Sequence, residues 1–318
     1  MNSAWGKLED KGDSITPSEL VEVAKSPKHY YSSYILQERE TSAVMEEGTL
    51  IHKFLLEPEK FNAEYAFSID ESLLEGCPKT TDDLKSMAKD YGLKVSGSKQ
   101  ELIDRVREHD PDMKTYDEMM GELLGGRKIL SPEMQKKLRR IKEEVEKHPF
   151  ASKLIFGDGE NEKSGYAHNH TYDCTFRFRL DRFVKLAKRK VIVDVKRTDK
   201  IYKRDFERHM FDSKLHMLAS IYVDAVKEIE GEEPLFCWVA VQPRPPYLVE
   251  TFVADFGALE AGRTEAFHAV NTLKQCKETG KWPGPDESLI SVALPHWAWG
   301  QVEDGGGIEE AVAQSAVP

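Results

Sequence analysis

The segment from Cys174 to Lys196, CTFRFRLDRFVKLAKRKVIVDVK, constrains the fold more than any other part of this 318-residue chain. Its period-two alternation is that of two β-strands, because successive side chains of an extended backbone leave opposite faces of a sheet. In the first strand Cys174, Phe176, Phe178 and Leu180 share one face, and Thr175, Arg177, Arg179 and Asp181 the other. In the second, Val191, Val193 and Val195 form a core face opposite Ile192, Asp194 and Lys196. Aspartate is depleted in strands. If the two strands form a hairpin, Asp181, Asp194 and Lys196 meet at one spot, which calls either for a solvated sheet edge or for a function.

The flanking periodicities supply partners for this sheet. Thr16-Pro17 opens a helix that breaks at Ser26-Pro27, and a second helix is predicted from Met45 to Glu57, stopped by Pro58. Within it Gly48, Ile51, His52 and Leu55 recur at helical spacing, which places His52 on the buried stripe. Ser131-Pro132 starts another helix and His148-Pro149 ends it. Strands are expected near 166–172, 174–184 and 190–196, then one long helix over 203–229, strands from Leu235 and Leu248, and a helix near 256–279. Strands and helices in this order predict an α/β chain with a mixed sheet. The length suits one large domain with a small appendage.

Composition removes several classes. No apolar run approaches the roughly 20 residues of a membrane helix. The start, MNSAWGKLEDKGDS, lacks the apolar core of a signal peptide, so the cytoplasm is the expected compartment. Cys77, Cys174, Cys237 and Cys276 are widely separated and give neither a disulfide framework nor zinc-ligand spacing. A net charge of -11 argues against indiscriminate coating of nucleic acid. Residues 185–208 nevertheless carry ten Lys/Arg against four acids, so a basic patch brackets the carboxylates. The tail, residues 301–318, is acidic and glycine-rich and is expected to be disordered.

Two carboxylates brought together repel unless a cation lies between them, and a hard divalent ion such as Mg2+ or Mn2+ suits an all-oxygen site. A lysine two residues beyond one ligand can then position water or stabilise charge on a phosphate. Spacing alone favours the plainer alternative, a strand-end aspartate and a solvated Asp-Val-Lys edge.

Asp181, twelve intervening residues and then Asp194-Val195-Lys196 resemble the PD-(D/E)xK nuclease signature, with Leu180 where that family often has proline. The stretches GTLIHKFLLEPEKF (Gly48 to Phe61), the segment around Glu162, and WPGPDESLISVALPHWAWG (Trp282 to Gly300) extend the resemblance to the RecE-type, exonuclease VIII-like nucleases of phages and prophages. It implies a restriction-endonuclease-like mixed sheet flanked by helices. It also implies that His52, Asp181, Asp194 and the Val195 carbonyl hold Mg2+ or Mn2+, that Lys196 is catalytic, and that Glu162 stands near the site. The activity implied is degradation of one strand of linear double-stranded DNA, 5′ to 3′, inside a bacterial host. The single strand would pass to an annealing protein, and the enzyme would close into a homo-oligomer, a tetramer in such nucleases. Arg177, Arg179 and Arg182 are candidates for phosphate contact or for sheet-edge solvation, and His216 and Tyr222 for DNA contact or for helix packing, with neither alternative preferred. The resembled pattern has glutamine where this chain has Leu218, which leaves that glutamine's role unfilled. An endonuclease on the same core and a catalytically inactive DNA-binding protein remain alternatives.

The segment Asp82–Asp110 reads separately as two short amphipathic helices with Gly92 and Gly97 at turns, and GLKVSGSKQELIDRV resembles SAP or HeH helix-extension-helix modules. Lys94, Ser98 and Lys99 are its candidate DNA contacts, although its seven Lys/Arg and seven acids between 79 and 110 balance. A hairpin for docking protein is an equal alternative. The expected organisation is a nuclease domain in two parts, 1–78 and 116–300, with the module inserted at 79–115 and a tail at 301–318.

Overall fold

The fold was obtained as a computed structural model, which describes residues 3–6, 14–285 and 289–293. In chain order the strands are β1 (Ala4–Trp5), β2 (Tyr65–Ala66), β3 (Lys128–Ile129), β4 (Gly159–Asn169), β5 (Cys174–Leu186), β6 (Arg189–Arg197), β7 (Leu235–Val241) and β8 (Val249–Val253). The α-helices are α1 (Pro17–Lys25), α2 (Pro27–Tyr30), α3 (Ala43–Leu56), α4 (Pro58–Glu64), α5 (Thr81–Asp90), α6 (Lys99–His109), α7 (Tyr116–Leu124), α8 (Pro132–Lys147), α9 (Ala151–Phe156), α10 (Lys203–Asp212), α11 (Leu215–Glu230) and α12 (Phe256–Thr279).

Six strands form one sheet in the order β1-β4-β5-β6-β7-β8. Only β6 and β7 are parallel neighbours; the other four pairs are antiparallel. A parallel pair needs a long crossover, and α10 with α11 provides it. Being central, β6 is covered on both faces, which is why it reads as a nearly continuous apolar run. On one face Val191, Val193 and Val195 pack with Val239 and Val241 against Ile51 and Leu55 of α3 and Leu138 and Ile141 of α8. On the other, Ile192, Phe236 and Trp238 pack against Phe206 of α10 and Ala219 and Val223 of α11. A mixed sheet flanked by helices is therefore the architecture, as the alternation predicts.

A third core lies among α1, α11 and α12, where Leu20, Ile221, Val270 and Leu273 meet. α11 and α12 approach closely at Gly262, where an added Cβ would come 2.4 Å from the His216 carbonyl oxygen. The helices touch there through backbone, so a side chain has no room.

Two expectations are corrected in detail. The first long strand starts at Gly159 rather than near 166, so Glu162 lies inside the sheet. The long helix over 203–229 is two helices, broken at Ser213-Lys214, where Lys214 has φ 58°. No glycine or proline marks that break in the sequence, which is why periodicity runs through it.

The α5–α6 segment closes a small core of its own from Leu84, Ala88, Leu102, Ile103, Val106 and Met113. Its two ends meet, because the Tyr116 amide donates to the Pro78 carbonyl at 3.0 Å. Residues 283–318 cluster as a separate unit. The expected disordered tail and most of the Trp282–Gly300 motif lie outside the described residues; Trp282 itself stacks on Tyr30 at 5.4 Å. Among the described residues no helix is long and apolar enough to cross a membrane.

Candidate metal centre

The site is built where regular strand pairing fails. The β5–β6 ladder runs from Leu186↔Arg189 to Arg182↔Val193 and ends there. One step further Asp181 would face Asp194. Instead the backbones separate and the Asp181 carboxylate fills the gap, its Oδ2 accepting from the Val195 amide at 3.0 Å. On the other side of β5 the register passes from Asn161↔Arg182 to Lys163↔Leu180 without pairing Glu162 to Asp181. Glu162 has φ 53°, a left-handed conformation uncommon outside glycine. Such backbone outliers concentrate at functional sites because the surrounding structure must hold them there. The alternation slips at the same point: Leu180 and Phe183 both enter the core under α11, which strict period two forbids.

Into this opening α3 delivers His52. The helix starts at Ser42, whose hydroxyl accepts from the Met45 amide, and its apolar stripe presses Ile51, Leu55 and Leu56 into the sheet. His52 beside that stripe is half-buried. Its Nε2 lies 3.2 Å from Asp181 Oδ1 and 3.6 Å from Glu162 Oε1. Ligand atoms of His52, Glu162 and Asp181 all fall within 4.8 Å of one another. One imidazole and two carboxylates from three elements thus converge on one point.

Asp194 and Lys196 form the adjoining half. Lys196 Nζ lies 2.8 Å from Asp194 Oδ1 and donates to it. It is also 2.8 Å from Oδ2, but at an angle that makes no hydrogen bond, so this buried oxygen keeps unused acceptor capacity. Asp194 is only 7% exposed. The clustered ligand atoms of His52, Glu162 and Asp181 fit a divalent cation, Asp194 not being a member of that cluster, and the donor set of imidazole and oxygen is one that Mg2+ or Mn2+ accepts.

Protonation behaviour follows from this crowding. Burial pushes the Asp194 carboxyl up, Lys196 pulls it down and Asp181 raises it again, leaving it at about 6. Asp181 moves the other way: burial opposes its charge, but the His52 hydrogen bond and charge, Lys196 and the Val195 amide outweigh it. Burial raises Glu162 against the pull of Arg179 and His52. For His52 burial disfavours the charge, yet the Asp181 hydrogen bond and the charges of Asp181, Glu162 and Asp194 prevail and raise it. Lys196 is likewise lowered by burial and raised more by Asp194 and Asp181, so it stays an ammonium.

The other sequence candidates divide. Arg179, 59% exposed at its side chain, binds Glu162 Oε2 through Nε at 2.7 Å and so borders the trio. Arg177 stands 3.7 Å from Glu19. Arg182 is corrected as a DNA contact: it is 4% exposed, donating from Nε to Leu154 O at 2.8 Å and from its terminal nitrogens to Asn161 Oδ1 and Gly157 O. Strict alternation would put Arg182 on the Leu180 face; the slip at Asp181 carries it to the opposite face, which α9 covers. His216 is 2% exposed, with Nδ1 3.3 Å from Met210 O, and is a packing residue. Tyr222 packs against Phe178 and Phe236, and its phenol pKa is raised by burial first and then by Asp181 and Asp194. Leu218 joins the core among α1, α11 and α12. In the α5–α6 segment Ser98 Oγ accepts from the Glu101 amide as helix cap, Lys99 Nζ donates to Lys79 O, and Lys94 O accepts from Arg105. Sequence reasoning missed Glu47 and Arg197, which join α3 to β6; the only hint was their position beside Gly48 and Lys196.

Comparison with known proteins gives one family, solved structures and no curated relative. Residues 16–289 match the family described as PDDEXK-like domain of unknown function (DUF3799). A protein from Eubacterium rectale, whose crystal structure is described as "Putative exonuclease", superposes with TM-score 0.52 at 10% identity, over 98% of this chain and all (100%) of that one. SSO0001, 14% identical over 71% of this chain and 84% of that one, superposes with a TM-score of 0.24. No curated protein matches the sequence.

Proposed function

Because the chain belongs to the PDDEXK-like family DUF3799, we propose that it is a divalent-metal-dependent deoxyribonuclease, and specifically an exonuclease that degrades one strand of linear duplex DNA, 5′ to 3′, leaving single strand for recombination. The observation that carries the nuclease reading is the convergence of His52, Glu162 and Asp181 beside the Asp194–Lys196 pair. The exonuclease reading draws support from the Eubacterium rectale neighbour's description and from the RecE-like motifs, GTLIH above all. Polarity, the annealing partner and a tetrameric ring rest on that resemblance.

His52, Glu162 and Asp181 would hold the ion, with Asp194 Oδ2 as a further oxygen. When bound, the cation supplies charge stabilisation at the phosphate and a water acidified enough to attack. Lys196, held charged despite its burial, acts as a fixed donor toward the attacking water or a phosphate oxygen, not as a base. Asp194 keeps the ammonium in place. The Val195 amide, by bonding Asp181, sets that carboxylate's orientation. Arg179, exposed and bound to Glu162, would meet a phosphate at the edge of the site.

The test is digestion of end-labelled linear and covalently closed duplexes, with Mg2+, with Mn2+ and with chelator. Linear DNA should be shortened progressively from the 5′ end and closed circles left intact, with all cleavage lost in chelator. Lys196→Ala and Asp194→Asn should abolish cleavage while duplex binding persists. Linearised circles would replace the exonuclease reading with an endonuclease; undiminished digestion by either variant would refute the site.

A further inference from the structure

The site is assembled from parts of two kinds: Glu162, Asp181, Asp194 and Lys196 ride on the paired strands β4, β5 and β6, whereas His52 rides on α3, outside that ladder. Apolar packing between α3 and the sheet leaves freedom to slide, because dispersion and burial have no direction. Something directional has to fix the register of the helix on the strand.

We propose that Glu47 is a positioning residue, which with Arg197 and Lys137 forms an ionic clamp that sets His52 against the carboxylates of β5 and β6. The proposal rests on the metal-site reading above. Arg197 donates from Nε to Glu47 Oε2 at 2.8 Å, and its terminal nitrogen lies 2.7 Å from the same oxygen. Lys137, from α8, takes Glu47 Oε1. Both carboxylate oxygens are thus engaged, one by the strand and one by a second helix. The Glu47 side chain is only 13% exposed. Burial would raise its carboxyl, but the Lys137 and Arg197 hydrogen bonds and charges bring it below the usual range.

Strand geometry makes this a coupling to the reacting groups. Arg197 directly follows Lys196, and consecutive strand residues point to opposite faces. Val191, Val193 and Val195 face α3 and α8, so Arg197 extends toward that side while Asp194 and Lys196 serve the other. A shift of Arg197 is a shift of the peptide that carries Lys196. On the helix, Glu47 and His52 are five residues apart, roughly 7.5 Å along the axis. A clamp at that distance controls the rise and rotation of α3 where the imidazole leaves it. Gly48 keeps the path open: a Cβ there would sit 4.0 Å from Arg197 Cβ, so alanine fits but a branched side chain would press on the clamp.

The experiment measures binding of Mn2+ by the full-length protein by calorimetry, with and without DNA cleavage, for wild type, Glu47→Gln and Arg197→Lys. Glu47→Gln keeps the volume and removes the charge; Arg197→Lys keeps the charge and removes the second contact, and guards against a variant that fails to fold. Partners bonded directly to metal ligands alter affinity by about 10–100-fold, and Glu47 acts one step further out, through Arg197 and the helix, which sets the low end of that range. Both variants are expected to bind Mn2+ about tenfold more weakly, with the DNA KM unchanged and kcat recovering at saturating metal. Val145→Ala, which loosens the same core about two turns along α8 from Lys137, should lower Tm and leave Mn2+ affinity alone. Equal Mn2+ affinity in wild type and Glu47→Gln would overturn the clamp. Because binding is read directly, a protein that binds Mn2+ yet cleaves no DNA would sink the nuclease reading while still testing the clamp.

Discussion

Replacing Arg182 with methionine should cost stability and leave DNA binding alone. The guanidinium joins three acceptors: Leu154 O and Gly157 O at the C-terminal end of α9, and Asn161 Oδ1 on β4. The last carbonyls of a helix have no partner within it, so Arg182 is the cap of α9 and its rivet to the sheet. Methionine keeps the apolar stem and loses every donor. Hydrogen bonds from a charged group contribute about 1.5–3 kcal/mol each, so three at the lower end set a gross loss near 5 kcal/mol. Part is returned, because burial of the guanidinium is itself unfavourable: it pulls the pKa down, with only Asp158 opposing. A net loss of about 3 kcal/mol remains, a large share of a typical 5–15 kcal/mol. With a urea m-value of about 3 kcal/mol/M, the midpoint should fall by about 1 M. Urea titration followed by tryptophan fluorescence measures this, and anisotropy with a labelled duplex, at a temperature where the variant is folded, measures binding. Arg179→Ala should show the reverse: a near-normal midpoint, weaker binding and a salt slope reduced by about one. A stable Arg182→Met protein with weakened DNA binding would refute the structural assignment and restore Arg182 as a phosphate contact.

Three further outcomes follow. Gly262→Ala would force α11 and α12 apart, and overpacking of this kind costs about 1–3 kcal/mol, seen as a lowered Tm. Ser98→Ala removes the capping box at the start of α6; it should cost about 1 kcal/mol, with faster amide exchange confined to α6 and cleavage unchanged. In metal-free protein, Asp194, Glu162 and His52 all have raised pKa values. These three groups therefore hold more protons folded than unfolded, and their contribution to stability falls as pH rises, opposed by His209, whose pKa burial lowers and which acts in the reverse sense below about 6.5. The acids contribute from about pH 4 upward, and His52 from about 6.5, its unfolded value, through its raised folded one. Saturating Mn2+ should reverse that slope, because ligands must be deprotonated to bind; thermal melts from pH 5 to 8 with and without the ion check both signs.

The sheet was legible because its strands are buried in ways that leave periodic marks: Phe176, Phe178 and Leu180 on one face, the valines of β6 on another. Asp181, Asp194 and Lys196 could be placed together by counting in twos. What could not be counted was the interruption. The left-handed Glu162 and the splayed β5–β6 ladder break the alternation that the reading depends on, which is why Glu162 joins the His52–Asp181 cluster instead of standing nearby and Arg182 leaves the Leu180 face for the side covered by α9. The Glu47–Arg197 clamp was invisible for another reason: it joins residues 150 positions apart, and a charged pair leaves no periodic trace.

The hydrogen bond between Pro78 and Tyr116 has an implication for how this chain could change over generations. A segment whose entrance and exit already sit side by side can be gained, traded or discarded without rerouting what surrounds it, since the closure entropy of a short replacement is small. Relatives could therefore carry a different attachment at this socket, or none. A shortened chain joining Pro78 to Tyr116 through two glycines should fold and bind Mn2+ like the parent, with any change confined to which DNA it engages.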